Sequence, residues 1–290
     1  MEKFYDSTTS IPEPIKRAIE HAAGSHVRTG DISVTEVMDS PLMFWLNRNK
    51  KDQLTVDYAT RIYALLGTTI ARVLEEHGGE FAEVHHCRAL RGVKISGSMD
   101  LAYDAMTQGL HDYKLSSVFV AGDPKGPIMM KHEQQVNIYR WLLQDSNPEL
   151  FSKIKALYID IILRDWGPRF KDKFPVQFKS FQVRMWPIEE VESFLINRLL
   201  KFMGVLESNK QPPICKDSDR WMRDFAVIKK GAKRATKAGF DTYAEAFEYI
   251  NVNHSTSTHE VRDAKPNRCL QYCDYAKCDL CPYFKMPSDV

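Results

Sequence analysis

The sequence predicts an α/β protein of the mixed α+β kind, with a central mixed β-sheet flanked by helices. Short apolar runs typical of strands alternate along the chain with stretches of helical spacing. The 290 residues, of which 43% are hydrophobic, can bury a sizeable core, and no internal repeat divides them. We expect a lead-in over 1–30, a core over 31–210 and a C-terminal segment over 211–290 that packs on the core.

The first half of the chain supplies helices and then a meander. A helix is expected over Glu13–Ala23, and Ser33 with Glu36 forms a capping pattern from which helical spacing continues to Asn49. Residues 56–76 form a further helix, which Gly78 ends. Three runs rich in strand-forming residues follow, at 81–90, 91–103 and 109–117.

The second half continues the alternation. Residues 132–144 have helical spacing, 154–166 and 174–186 are apolar runs of strand type, and 187–207 form a helix with Pro187 in its first turn. A Pro-rich break, a basic segment, a short helix and a cysteine-rich tail complete the chain. This order of elements indicates a mixed sheet between helices.

Charge and hydropathy narrow the class of protein. The formal net charge of +2 neither requires nor excludes a nucleic-acid partner. No stretch approaches the roughly 18 consecutive apolar residues of a membrane span, and MEKFYDSTTS lacks the basic-then-apolar pattern of a signal peptide. We therefore expect a soluble, cytoplasmic protein without a membrane partner.

Two acids and a lysine interrupt the apolar pattern of the hairpin 95–117. Asp100 and Asp112 would project from neighbouring strands, and Lys114 would lie on the same strand face as Asp112. Two adjacent carboxylates repel each other unless a cation lies between them, and Mg²⁺ prefers such oxygen ligands. In isolation, D-x-K is a weak signal: Asp123 and Lys125 form a second copy within a Gly/Pro turn, and a solvated strand face is the commoner explanation.

The segment ISGSMDLAYD…LHDYKLSS, followed by QVNIY, resembles the RecB-like branch of the PD-(D/E)XK nuclease superfamily, which includes phage-type exonucleases. That branch pairs G-x-x-D on one strand with D-x-K on the next and follows them with a Q-x-x-x-Y helix, matched here by Gln135 and Tyr139. The resemblance covers about residues 30–283 and implies a restriction-endonuclease-like core.

The resemblance also implies a function. Asp100 and Asp112 would bind Mg²⁺ or Mn²⁺, Lys114 would be catalytic, and Gln135 and Tyr139 would contact the DNA strand. Hydrolysis of DNA by an exonuclease, in recombination, repair or phage DNA metabolism, is the implied activity. A recombination or replication protein is the implied protein partner.

The helix 56–76 departs from the branch. Ala71 stands where relatives carry a histidine, four residues after the glycine of LLG, and alanine cannot ligate a metal. Glu75 on the same helix could supply a further acid. Weaker metal binding, all-oxygen Mg²⁺ coordination and reduced activity all stay open. Ala71 therefore keeps open the alternative of a non-catalytic DNA-binding protein. A metal-stapled protein-interaction module is a third hypothesis, which gives no reason for the D…D-x-K and Q-x-x-x-Y patterns to occur together.

Four cysteines crowd into thirteen residues near the end of the sequence. Such a cluster suits a tetrahedral Zn²⁺ or an iron–sulfur cluster, and we expect it to be structural. The resemblance favours a [4Fe–4S] cluster with one distant ligand, for which Cys215 stands in the corresponding place, and Cys281 is the expected spare. The candidates are Cys215, Cys269, Cys273, Cys278 and Cys281.

The segment 229–239 is basic. Its cations could neutralise phosphates regardless of base sequence, although a solvated face is the ordinary explanation of such runs. The candidate DNA contacts are Lys229, Lys230, Lys233 and Arg234, with Lys237 beside them.

Overall fold

The computed structural model describes residues 3–6, 10–24, 29–223 and 225–286, without the side chain of Arg223. The ends of the expected lead-in and tail, at 1–2 and 287–290, lie outside the described residues. The chain divides into two compact units. The sheet unit comprises Tyr5–Asp39 and Asp57–Lys210, and the cysteine unit comprises Met1–Phe4, Ser40–Val56 and Gln211–Val290.

The strands are numbered in chain order. They are β1 (Lys3–Tyr5), β2 (Ile32–Ser33), β3 (Thr55–Asp57), β4 (Ala82–Leu90), β5 (Val93–Asp104), β6 (Gly109–Ser116), β7 (Ala156–Leu163), β8 (Phe178–Val183), β9 (Met222–Arg223), β10 (Phe225–Lys229), β11 (Ala235–Phe240), β12 (His259–Arg262) and β13 (Lys265–Pro266).

The α-helices are numbered likewise, and short 3₁₀ helices lie at Lys51–Gln53, Tyr58–Arg61, Gly79–Phe81 and Pro168–Phe170. They are α1 (Glu13–Gly24), α2 (Val34–Val37), α3 (Pro41–Asn49), α4 (Ile62–His77), α5 (Val118–Ala121), α6 (Pro127–Ser146), α7 (Pro148–Lys153), α8 (Ile188–Leu199), α9 (Met203–Ser208), α10 (Asp217–Arg220), α11 (Tyr243–Asn253), α12 (Asn267–Gln271) and α13 (Asp274–Lys277).

A six-stranded mixed sheet forms the centre of the sheet unit, which confirms the predicted fold class. Its order is β2-β5-β6-β7-β8, and β4 also pairs with β5. The β4–β5, β5–β6 and β7–β8 pairs are antiparallel, whereas β2–β5 and β6–β7 are parallel. Parallel neighbours need a crossover connection, and α5, α6 and α7 supply the one from β6 to β7.

Helix α6 packs on β4, β5, β6 and β7 through its buried apolar residues. Trp141, Leu142 and Leu143 on this helix are fully buried. Arg88 of β4 connects the sheet to the helices around it: its Nε lies 2.6 Å from Asp145 Oδ2, and its Nη1 donates to the Trp141 carbonyl at 3.1 Å. The guanidinium also lies 4.3 Å from the Trp141 ring centroid. These contacts fix α6 against the strands that carry the site.

Four of the expected helices begin or break at different residues. The helix expected over 187–207 is divided into α8 and α9, and the one expected over 132–144 begins earlier, at Pro127. The helical stretch 33–49 is interrupted, because Ser40 caps a new helix that starts at Pro41, and its hydroxyl accepts from the Leu42 N–H at 3.2 Å. The expected helix 56–76 starts later, at Ile62, since Thr55–Asp57 form β3. The helix expected over Glu13–Ala23 is present as α1.

The division into units differs from the expected core of 31–210. Residues 40–56 belong to the cysteine unit, because several of their apolar side chains pack with the tail. This cluster joins Leu42, Leu46, Leu54 and Val56 to Cys269, Cys273, Tyr275 and Ala276.

The basic segment of the cysteine unit forms a β-hairpin. Strands β11, β10 and β12 make a three-stranded antiparallel sheet in that order. Helix α11 packs on it around a small core of Val227, Ala246 and Ile250. Within the described part of the chain, no helix is both long and apolar enough to cross a membrane.

Candidate functional site

The β5–β6 hairpin brings Asp100 and Asp112 together. Leu101 is the register partner of His111, so Asp100 and Asp112 lie opposite each other on neighbouring strands. Asp100 Oδ2 accepts a hydrogen bond of 2.6 Å from the backbone N–H of Tyr113. The carboxylate of Asp100 therefore reaches the backbone of the residue next to Asp112.

Asp112 lies at the bottom of the site and Lys114 at its mouth. The Asp112 side chain is 1% exposed, and that of Lys114 is 22% exposed. Lys114 Nζ lies 2.6 Å from Asp112 Oδ2. Apart from this ion pair, no group among the described residues donates a hydrogen bond to that oxygen. Residues i and i+2 of a strand share a face, which is why the D-x-K spacing produces the contact.

The two carboxylates are costly to keep ionised. Burial raises the pKa of Asp112, the nearby Lys114 opposes that rise, and the charge of Asp100 adds to it. Burial likewise raises the pKa of Asp100, against the effects of Lys114 and the Tyr113 N–H. A cation placed between the two groups would remove this penalty.

Gln135 and Tyr139 meet on α6 as their spacing predicts. Both are buried, and Gln135 Nε2 donates to the Tyr139 hydroxyl at 2.7 Å. Burial and the charge of Asp112 raise the pKa of Tyr139, so its hydroxyl keeps its proton. A Cβ at Gly97 would lie 2.8 Å from Tyr139 Cε1 and 2.9 Å from Val34 Cγ2. The glycine of the G-x-x-D pattern thus leaves room for the tyrosine ring.

Sequence reasoning missed a third acid, Glu83 of β4. Ala82 pairs with Leu101 and Val84 with Met99, so Glu83 lies opposite Asp100. Burial raises the pKa of Glu83 to about 7, and the charges of Asp100 and Glu75 contribute. Its backbone is left-handed, with φ of 49°, a conformation that is uncommon for glutamate. The strand register alone reveals this position, because nothing in FAEVHH distinguishes the residue.

A half-buried histidine was also missed. His132 lies one turn before Gln135 on α6, and burial together with Lys114 lowers its pKa to about 3. The imidazole is therefore neutral at pH 7 and can accept a hydrogen bond beside Lys114. The i, i+3, i+7 spacing of His132, Gln135 and Tyr139 was the signal that could have found it.

Helix α4 packs beside β4, β5 and β6, the strands of the site. Glu75 is exposed, and it acts on Glu83 through its charge. Ala71, one turn earlier, is half-buried. Because an alanine side chain has no donor atom, Ala71 provides no metal ligand, and the acid of β4 that lies opposite Asp100 is Glu83.

The donor set suits a hard divalent cation. Paired carboxylates with raised pKa values and an oxygen without a hydrogen-bond donor are features that Mg²⁺ or Mn²⁺ would satisfy. In the ranges that the structure describes, no three His, Cys, Asp or Glu side chains stand close enough together to hold a metal by themselves. Water and phosphate oxygens would therefore complete the coordination of such an ion.

All five candidate cysteines lie in one apolar cluster of the cysteine unit. Cys269 and Cys273 are buried, and the other three pack against the same cluster. Burial raises the pKa of Cys269 to about 11, with further contributions from Cys273, Cys215 and Cys281. Cys278 instead donates to the Thr55 carbonyl at 3.1 Å. Soft sulfur donors of this kind suit iron or zinc, but among the described residues no three of these thiols lie close enough together to hold a metal as they stand.

The basic residues lie on the β10–β11 hairpin and not on a helix. Each of the four predicted contacts is exposed, as is Lys237. The hairpin contains no acidic residue that could neutralise their charge. The residues are Lys229, Lys230, Lys233 and Arg234. The structure brings them together on one hairpin within the cysteine unit.

No protein-family model matches the chain, and no curated protein matches it. Several solved structures are distantly similar, among them two crystal structures. The crystal structure of SSO0001 is 18% identical, with a TM-score of 0.43, over 64% of this chain and 83% of that one. A predicted exonuclease from Eubacterium rectale is 14% identical, with a TM-score of 0.35, over 53% of this chain and 57% of that one. At these scores neither similarity bears on function.

Proposed function

We propose that the protein is a metal-dependent DNA nuclease, acting as an exonuclease, whose centre is the β5–β6 hairpin. The observation that carries the proposal is the buried Asp112–Lys114 ion pair facing Asp100. Such a pair is expensive to bury for stability alone, and perturbed carboxylates cluster at functional sites. The proposed setting is DNA recombination, repair or phage DNA metabolism, with a partner protein from one of these processes.

In this proposal Asp100 and Asp112 hold Mg²⁺ or Mn²⁺ together with waters, while Glu83 and the exposed Glu75 add negative charge beside them. The bound ion would polarise a phosphate and lower the pKa of a water. Asp112 holds Lys114 in place, so that its amine can donate to a phosphate oxygen or orient the attacking water.

The α6 residues would position the DNA strand. Tyr139 accepts a hydrogen bond from Gln135, and its raised pKa keeps its own O–H available to donate to a phosphate. His132, neutral at pH 7, can accept a hydrogen bond from a water beside Lys114. These residues bind and orient, while the exposed cations of the β10–β11 hairpin would follow the phosphates of the DNA.

A [4Fe–4S] cluster, or alternatively a structural Zn²⁺, is proposed for the cysteine unit. The charges that act on Cys269 favour Cys215, Cys269, Cys273 and Cys281 as the ligands. Cys278 would then be the spare thiol, in place of Cys281, because its Sγ is engaged by the Thr55 carbonyl.

The test is cleavage of end-labelled single- and double-stranded DNA with Mg²⁺, with Mn²⁺ and with a chelator. Wild type is expected to shorten DNA only with a metal, and Asp112→Asn to be inactive. Asp123→Asn, in the exposed D-x-K turn, is the matched control and keeps full activity. Activity that survives in Asp112→Asn, or in the chelator, would contradict the proposal.

The alternative is a non-catalytic DNA-binding protein that keeps the same fold. It is favoured by Ala71 on α4, which cannot replace the missing histidine ligand. Wild-type protein that binds DNA and cleaves none with either metal would establish this alternative.

A further inference from the structure

Residues 225–262 of the cysteine unit fold around a core of their own. Strand β10 lies between β11 and β12, and α11 packs on this sheet through Ala246 and Ile250, which are 0% and 1% exposed. Val227 of β10 completes the core. The face of α11 that holds the helix in place is therefore the face of these small and aliphatic residues.

Two aromatic rings occupy a different face of α11 and are left in water. Tyr243 is 50% exposed and Phe247 is 41% exposed. They lie one helical turn apart, with ring centroids 6.2 Å apart and planes inclined by 13°. Phe225 of β10 contacts the Tyr243 ring edge-on at 6.3 Å. The two rings are thus held nearly parallel, with exposed faces that the core does not use.

The neighbouring hairpin is strongly basic. Residues 229–240 contain five cations and no acid. Lys237 Nζ lies 5.6 Å from the centroid of the Tyr249 ring on α11, so the basic strand β11 borders the aromatic helix. Along β10, Phe225 beside Tyr243 and Lys229 at the hairpin are four residues apart, or about 13 Å at the rise of a strand.

We propose that α11 and the β10–β11 hairpin form a binding surface for single-stranded nucleic acid. Tyr243 and Phe247 stack on bases, and Lys233, Arg234 and Lys237 neutralise the phosphates that follow. The choice of nucleic acid as ligand rests on the proposed function. The preference for a single strand over a duplex follows from the exposed rings. Base faces are accessible in a single strand and covered in a duplex, and stacking tolerates any sequence. At the spacing of about 3.4 Å per nucleotide along one stacked strand, a surface about 13 Å long matches about four nucleotides.

The test is fluorescence anisotropy of a labelled oligodeoxythymidine with the full-length protein in a chelator, where no hydrolysis takes place. Parallel titrations use oligouridine and a DNA duplex. The doubly substituted Tyr243→Leu, Phe247→Leu protein keeps apolar volume and loses both rings. We expect it to bind the single strand about tenfold more weakly, while its affinity for the duplex is unchanged.

Two control variants make the result specific. Tyr243→Phe retains the ring and should bind the single strand as wild type does. Val252→Ala removes an exposed apolar group, 75% exposed on the same helix, and should also leave binding unchanged. Lys233→Ala with Arg234→Ala should weaken single-strand and duplex binding alike and flatten their salt dependence. Melting temperatures measured for every variant show whether it is folded.

Three outcomes would overturn the proposal. Wild type that binds no single strand removes it directly. Leucine variants that bind like wild type mark the patch as an apolar docking site for a protein instead. If the doubly substituted Tyr243→Leu, Phe247→Leu protein loses the same affinity for the duplex as for the single strand, the rings do not select single strands and the binding is non-specific. The binding assay does not depend on hydrolysis, so it tests this surface separately from the proposed nuclease. Wild type that binds single strands here, and cleaves no DNA in the cleavage assay with Mg²⁺ or Mn²⁺, would contradict the nuclease and support this surface.

Discussion

The residues of the site are explained by the energy of buried charge. Asp112 is 1% exposed and has no described donor at Oδ2 beyond Lys114. An ionised carboxylate in such a place is stable only when a cation or several donors compensate for the lost water. Lys114 supplies part of this compensation. A bound divalent ion would provide the remaining compensation for the lost water. The burial of Asp112 is therefore consistent with a metal-binding role.

Glu83→Gln should flatten the dependence of stability on pH in the metal-free protein. The folded-state pKa of Glu83 is raised to about 7, above its ordinary value. The unfolded chain therefore loses this proton first, and raising the pH from about 4.5 to about 7 favours unfolding. Below that window the penalty is absent, and above it the penalty is complete. Melting temperatures recorded across this range in a chelator are the measurement.

The exposed Glu76→Gln, on α4, is the control for Glu83→Gln. It should melt with the pH dependence of wild type. If wild type and Glu83→Gln show the same slope through the window, Glu83 does not carry the buried charge assigned to it.

At the residue level, the sequence was sufficient where chemistry follows from spacing. The D-x-K spacing puts Asp112 and Lys114 on one strand face. The Q-x-x-x-Y spacing puts Gln135 and Tyr139 one helical turn apart. Glu83 could not be predicted, because its position depends on the register between β4 and β5 and on a left-handed backbone that glutamate rarely adopts. Long-range register is not encoded in local periodicity.

At the level of elements, the site depends on how closely β5 approaches α6. Gly97 has no side chain, and Tyr139 occupies the space that a Cβ would need. The spacing of apolar residues in the sequence predicted most of the helices and strands of the sheet unit. The interruption at Ser40–Pro41 and the strand β3 were missed, because a proline at the first turn begins a new helix and a three-residue strand has too few positions for a pattern.

Gly97→Ala should destabilise the protein by about 1–3 kcal/mol, the usual cost of forcing an atom into a packed interior. The new Cβ would lie 2.8 Å from the buried Tyr139 ring, which must move. DNA binding should weaken as the Tyr139–Gln135 pair is displaced. Urea unfolding and DNA titration measure the two effects.

Gly67→Ala on α4 is the matched control for Gly97→Ala. A Cβ there meets nothing within 4 Å, so the substitution should stabilise the helix by about 0.5–1 kcal/mol. Equal effects of the two substitutions would mean that the approach of Tyr139 does not require glycine.

At the level of the whole molecule, the candidate functional residues are distributed over two units. The sheet unit carries the carboxylates, and the cysteine unit carries the thiols and the basic hairpin. Residues 40–56 pack with the tail although Val56 and Gln211 are about 155 residues apart in the sequence. Such a division could not be predicted from the order of elements, because it depends on which distant apolar faces meet.

Cys281→Ser should abolish the iron–sulfur absorption at about 400 nm, and Cys278→Ser should leave it intact. Cys281 acts on Cys269 and Cys273 through its charge, whereas Cys278 donates to Thr55. Because metal binding is coupled to folding, the Cys281→Ser protein should also melt at a lower temperature. Anaerobic purification followed by absorption spectroscopy and metal analysis is the measurement. Loss of colour in Cys278→Ser alone would reverse the assignment, and stoichiometric zinc would replace the cluster.

The most direct test of the nuclease compares two lysines that share one motif. Lys114 and Lys125 each follow an aspartate at a spacing of two, but Lys114 pairs with buried Asp112 and Lys125 is exposed in a turn. We expect Lys114→Met to cleave end-labelled DNA at least about 100-fold more slowly than wild type, with DNA binding retained, and Lys125→Met to cleave at the wild-type rate. Equal cleavage by wild type and both variants would contradict the assignment of Lys114 and of the site around it.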